Sequence, residues 1–236
     1  IGYRGYMHSL EYAKDRLQGP KPSEKNPEAP QVPIIEHADV RRMLLAQKAY
    51  SEGGLALCLY GARLMDDQHT HPDEQKRMEA GKLLDLLTPV IKAWPSEFGP
   101  KANDLAIQVY GGAGYTREYP VEQCWRDNRL NPIHEGTNGI QALDLLGRKI
   151  WQDQSHGLQL LMQEMQVDLE AATTDRCQQW ALSLSETLQQ AVKVTQSLGK
   201  SLMSEDPDRV LANASCYLHL FGHFIVSWMW LRQANA

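Results

Sequence analysis

DVRRMLLAQKAYSEGGLALCLYGARLMDDQ, Asp39 to Gln68, repeats apolar side chains at helical spacing for roughly eight turns. The pattern predicts one long helix. A second amphipathic segment, Asp73 to Trp94, starts at HPDEQ, where Pro72 and the acidic residues suit a helix N-terminus, and Pro95 is expected to end it. A shorter helix, Lys101 to Tyr110, is expected to stop on Gly111-Gly112. Strand signals are almost absent. Long helices joined by tight loops imply antiparallel packing, so residues 1–151 read as an all-α, up-and-down four-helix-bundle domain.

Upstream, Leu10, Ala13 and Leu17 share one helical face, and Gly19 with Pro20 should end that helix. The opening IGYRGYMHSLEYAKDR has neither an initiator Met nor a signal-peptide pattern, so the chain reads as a fragment that begins inside a longer element. GPKPSEKNPEAPQVP, Gly19 to Pro33, holds five prolines and no apolar period, which predicts a surface loop without regular structure. Downstream of Trp151 the composition turns Gln-, Leu- and Ser-rich. Helices are expected at Ser155–Ala172, Asp175–Leu202 and Pro207–Gln233, with a break at SEDPD, forming an additional helical module over residues 152–236 whose end is also expected to be truncated. Its stretch ASCYLHLFGHFIVSWMWL is apolar but interrupted by two His, two Ser and a Gly, which favours a buried helix over a membrane span.

The 236 residues carry a formal charge of −5, and the 24 Lys and Arg are scattered. No basic face exists to attract nucleic acid or an anionic membrane. Cys58, Cys124, Cys177 and Cys216 lie far apart without a CxxC pair, which points to reduced thiols, a cytoplasmic setting and no metal site. His219 and His223 stand four residues apart in apolar surroundings with no HExxH pattern, so they read as packing residues.

Two stretches carry chemistry. QVYGGAGYTREYPVEQCWRD, Gln108 to Asp127, places three glycines within four residues after a helix end. Backbone amides in such a cluster can approach a ligand closely, although an ordinary helix-to-helix turn has the same composition. NPIHEGTNGIQALDLLGRK, Asn131 to Lys149, places Glu135 before a glycine and just outside a helix that Thr137 or Asn138 can cap, with Ile140, Leu143, Leu146 and Ile150 as its apolar face. An acid there can simply complement the helix dipole. It can equally serve as a base for a carbon-bound proton, held on a rigid turn in a pocket that excludes water as substrate binds.

Together, in order and spacing, these segments resemble the acyl-CoA dehydrogenase family. The resemblance rests on Gln108 to Tyr115, Glu118 to Glu122, Arg126-Asp127 and His134 to Gln141, and extends over residues 1 to about 150. It implies that Glu135 is the general base that takes the α-proton of an acyl-CoA thioester while the β-hydride passes to FAD. Arg16, Gln18, Gln108 and Gly112 would then hold FAD, partly across a subunit boundary, with Thr137 beside the base and His134 and Gly136 at the substrate pocket. An electron-transfer flavoprotein as acceptor and a homodimer or homotetramer are further implications. The proline-rich insert, NGIQALDLLGRK and the added module resemble the larger bacterial branch that includes 3-methylmercaptopropionyl-CoA dehydrogenases.

The chain departs from the family pattern at Gly139, where a cofactor-contacting Gln is frequent, and at His134, where Tyr is common. His134 is open to three roles: a neutral filler, a partner that tunes the carboxylate, or a contact for a polar acyl chain. Two other classes share the scaffold. A DNA-binding flavoprotein of the alkylation-response type needs a basic surface that this composition lacks. A purely oligomerising helical module is compatible with the enzyme.

Overall fold

The computed structural model describes every residue except Pro22 and Pro27. Its elements are α1 (Gly2–Asp15), α2 (Ala38–Thr70), α3 (Glu74–Tyr110), α4 (Val121–Asn128), α5 (Asn138–Gly147), α6 (His156–Glu170), α7 (Asp175–Ser204), α8 (Pro207–Leu211) and α9 (Ala214–Asn235), with short 3-10 turns at Ile34–Glu36, Gly111–Tyr115 and Lys149–Ser155. Among the described residues there is no strand, only an isolated antiparallel bridge between Leu17 and Pro33. The protein is all-α, as the periodicity implies. No helix is long and apolar enough to cross a membrane among the described residues.

Three local expectations change. Pro95 does not end a helix: α3 runs through both Pro95 and Pro100 for 37 residues. Proline removes one backbone bond and crowds the preceding turn. That penalty is outweighed where the flanking turns are well buried, as at Val90, Ala93, Trp94, Phe98 and Ala102. At the start, α1 ends at Asp15 rather than at Gly19, with Arg16 already extended. Leu17 is drawn into the bridge to Pro33 and Gln18 donates its N–H to Val32 O at 3.0 Å, so the proline-rich loop is closed at its base. The expectation for the loop itself otherwise includes Pro22 and Pro27, which lie outside the described residues. Near the end, the helix foreseen from Pro207 to Gln233 breaks at Ala212-Asn213, where the Asn213 side chain donates to Val210 O at 3.1 Å in place of a continuing ladder.

The chain groups into two compact units. The first comprises Ile1–Gly54 and Pro95–His134. Its core joins Tyr6, Ala13, Ile34, Met43, Leu44 and Val109, with Ala106, Tyr110 and Val121 beside it. Two buried polar pairs link helices here: Ser9 Oγ donates to Gln47 Oε1 at 2.7 Å, and Asn128 Nδ2 donates to Asn103 Oδ1 at 2.8 Å, while Gln47 Nε2 and Ser51 Oγ are buried without a partner among the described residues.

The second unit comprises Leu55–Trp94 and Glu135–Ala236. Leu57, Leu64, Leu87, Leu145, Leu146, Leu161 and Trp228 are essentially inaccessible in its core. α5 packs on α9 through Ala142, Leu145 and Leu146, while Ile140 and Leu143 stand exposed. Of the expected apolar face, Leu146 and Ile150 are buried while Ile140 and Leu143 are not, because a short helix with apolar residues on adjacent stripes can turn part of either one to its partner. α2, α6 and α9 share a polar cluster. Tyr60 Oη donates to Glu164 at 2.6 Å, Trp228 Nε1 donates to Asp168 at 2.7 Å, and Arg232 pairs with Asp168 at 3.2 Å. Burial and the adjoining Glu164 carboxylate push the Tyr60 hydroxyl far above its ordinary range, so it remains a donor.

Gly222 on α9 marks the closest approach in this unit, since a Cβ there would meet Trp94 Cδ1 at 2.4 Å. Helix propensity alone favours alanine by about 1 kcal/mol. The clash with a ring that is 3% exposed outweighs it, because overpacking costs about 1–3 kcal/mol. Gly222→Ala is therefore expected to lower the thermal midpoint, measured by circular dichroism; an unchanged or raised midpoint would show that the α3–α9 contact is looser than this geometry.

Candidate functional site

In the first unit, the break of α1 at Asp15 creates the candidate ligand site. Arg16 leaves the helix in an extended conformation, its carbonyl accepting from Ile34 N at 2.8 Å, while the Gln18 carbonyl accepts from the His37 ring at 2.8 Å. These bonds fix the backbone and leave both side chains exposed. A cleft of about 700 Å³ opens there, lined among others by Arg16, Gln18, His37, Gln108, Gly111 and Gly112. Four residues proposed from sequence to hold a cofactor, Arg16, Gln18, Gln108 and Gly112, thus line one cleft.

The glycine cluster divides by cause. Gly111 has φ +61°, a left-handed conformation that ends α3. At Gly114 a Cβ would come within 2.6 Å of Ile107 O, so the tight turn itself requires glycine. Neither reason applies to Gly112, whose Cβ position faces open space. A ligand can pack directly on that backbone. The floor is aromatic: Tyr12 and Tyr110 stack with centroids 4.0 Å apart, and burial raises the Tyr110 hydroxyl pKa. A guanidinium, exposed glycine backbone and two carboxamides form a donor set suited to the phosphates and polar edges of a dinucleotide, and the volume is in the usual range for such sites. The residues present therefore fit FAD. His37 and Tyr12 also line the cleft and are not among the residues expected from sequence.

The second unit carries the carboxylate. Glu135 has φ +54° and Gly136 φ +84°, two consecutive left-handed residues before α5. For glutamate that conformation is strained by about 1–3 kcal/mol and persists only where neighbours impose it. Thr137, rather than Asn138, caps α5, its Oγ1 accepting from Ile140 N at 3.3 Å. Asn138 instead ties the turn to α3: its Nδ2 donates to Ala93 O at 3.4 Å and its Oδ1 accepts from Lys92 Nζ at 3.3 Å. Gln141 Nε2 reaches Glu135 O at 3.5 Å, and a Cβ on Gly136 would come within 2.9 Å of that amide. Burial lowers the Lys92 pKa while the Glu135 charge opposes the shift. Glu135 and Thr137 are exposed on this unit, and His134, the last residue of the first unit, is exposed as well.

The first unit thus carries a glycine-lined, cation-bearing cleft, and the second a carboxylate on a left-handed turn. Residues 4–150 match the family described as acyl-CoA dehydrogenase, C-terminal domain, and residues 161–236 match acetyl-CoA dehydrogenase C-terminal like. The chain belongs to the acyl-CoA dehydrogenase family. It is 33% identical over 234 residues to 3-methylmercaptopropionyl-CoA dehydrogenase of Ruegeria pomeroyi, covering 97% of this chain and 38% of that protein. It is 34% identical over 240 residues to the broad-specificity linear acyl-CoA dehydrogenase FadE5 of Mycobacterium tuberculosis, covering 98% and 39%. The chain thus spans under two fifths of the length of these relatives. Among solved structures, Caenorhabditis elegans ACDH-11 in complex with C11-CoA superposes with TM-score 0.79 at 17% identity, covering 100% of this chain and 38% of that one. A Bacillus anthracis acyl-CoA dehydrogenase complexed with FAD superposes with TM-score 0.74 at 20% identity, covering 100% and 40%. These likenesses establish the fold.

The turn yields a stability test. Glycine adopts the left-handed region without strain, so Glu135→Gly is expected to stabilise the chain by roughly 1 kcal/mol. Thr137→Ala should cost about 1 kcal/mol through loss of the cap. Chemical denaturation of the two variants checks both signs; a destabilised Glu135→Gly would mean that the side chain contributes more than its backbone costs.

Proposed function

We propose that the chain is the C-terminal helical part of a flavin-dependent acyl-CoA dehydrogenase that forms a trans-2-enoyl-CoA from an acyl-CoA thioester. The observation that carries this reading is the left-handed Glu135-Gly136 turn, which holds a carboxylate in a conformation that costs about 1–3 kcal/mol. An unactivated α-proton is far too weakly acidic for a carboxylate, and the thioester lowers that barrier. Glu135 takes the α-proton as the β-hydrogen departs with its electron pair. FAD, when bound, supplies the acceptor for that hydride.

The remaining residues bind and orient. Arg16 contributes a cation to the cofactor phosphates, Gln18 and Gln108 offer amide contacts, and Gly112 admits the group to the backbone. Thr137 approaches the cofactor beside the base, and His134 and Gly136 border the acyl chain. Reoxidation is assigned to an electron-transfer flavoprotein, and assembly to a cytoplasmic homodimer or homotetramer. Residues 1–151 form the family domain and 152–236 the added module; the three successive left-handed residues Asp153, Gln154 and Ser155 support a division near that point.

In the full-length protein, Glu135→Gln should slow flavin reduction by acyl-CoA by about 100- to 10,000-fold, the usual weight of a general base, with flavin content unchanged. Arg16→Ala should instead weaken FAD retention by roughly 10- to 100-fold, read by flavin absorbance after gel filtration. Residues 1–236 alone should turn over no acyl-CoA. Wild-type flavin reduction in Glu135→Gln, across a panel of acyl chain types, would overturn the proposal.

A further inference from the structure

We propose that Lys92 is a positioning residue for Glu135, its ammonium holding Asn138 at the start of α5 so that the turn that presents the base keeps its orientation when substrate binds. This rests on the assignment of Glu135 as the base. Lys92 lies on α3 directly before Ala93 and Trp94, both buried, and is itself half-buried. Burial there disfavours its charge, and Glu135 is the charged group that offsets the penalty. A methionine would fill the same path without a desolvation cost. It could not make the hydrogen bond that Lys92 Nζ donates to Asn138.

The geometry gives that charge a mechanical connection. Lys92 Nζ donates to Asn138 Oδ1, and Asn138 Nδ2 donates back to the carbonyl of Ala93, the residue after Lys92. This reciprocal pair fastens the first residue of α5 to one turn of α3. Glu135, three residues earlier, is in a conformation that needs such external restraint. When an acyl chain displaces water from the turn, the carboxylate loses solvation and protonation becomes more favourable. A fixed neighbouring cation opposes that, because Coulomb interactions strengthen as the local dielectric falls.

The test uses the full-length holoprotein with straight-chain acyl-CoA thioesters from butyryl-CoA upward. Flavin reduction is followed by stopped flow, and the thioester Kd is taken from the spectral change on binding. Lys92→Met and Lys92→Gln should each slow reduction at saturating thioester by about 10-fold, within the range that a small misplacement of a reacting group costs. Kd should change less than about two-fold and flavin content should hold, while Lys92→Arg should recover most of the rate. Two variants guard against a folding failure in one. Wild-type reduction rates in both, or equal losses in Lys92→Arg and Lys92→Met, would overturn the proposal. If Glu135→Gln itself reduced flavin normally, the base assignment would fail first, which separates the two outcomes.

Discussion

A left-handed glutamate is the constraint around which the second unit is arranged. At φ +54°, Glu135 sits where a side chain crowds its own backbone, and the chain around it supplies the restraint. Gly136 continues the left-handed course, Thr137 caps α5 once the chain turns back, and Asn138 attaches that cap to α3. α5 can then lay Ala142, Leu145 and Leu146 against α9. Strain at one residue is thus offset by capping, hydrogen bonding and burial over the next ten, and a carboxylate is presented from a rigid base.

The first unit solves a different problem by similar means. The cofactor proposed for its cleft would need exposed donors whose backbone does not move. Ending α1 at Asp15 and tying Arg16 and Gln18 to Ile34, Val32 and His37 meets both requirements. The glycine run adds a turn that two of its members need for conformational reasons and a third leaves open. Rigidity of the backbone and freedom of the side chain coexist here because the restraints are main-chain bonds.

α6 and α9 are joined to α2 through polar chemistry inside an apolar setting. Tyr60, Glu164, Asp168, Trp228 and Arg232 satisfy one another, with Arg232 also 5.0 Å from the Tyr60 ring and 5.2 Å from the Trp228 ring. Such a cluster fixes register, since an apolar helix can slide along its neighbour whereas a buried indole N–H has a single nearby acceptor. This gives α9, apolar on nearly every side, one orientation.

Sequence alone determined the helical class, the long α2, the family and the positions of Glu135, Gln108 and the glycine run, because periodicity and turn chemistry are local properties written in neighbouring residues. Other features depended on partners distant in the chain. Whether Pro95 ends α3, which apolar stripe of α5 is buried and where α1 stops were decided by packing or by pairing with residues far away, as Leu17 pairs with Pro33. The same holds for Lys92: nothing adjacent to it names a carboxylate 43 positions later, and only the folded chain brings the two charges within each other's field.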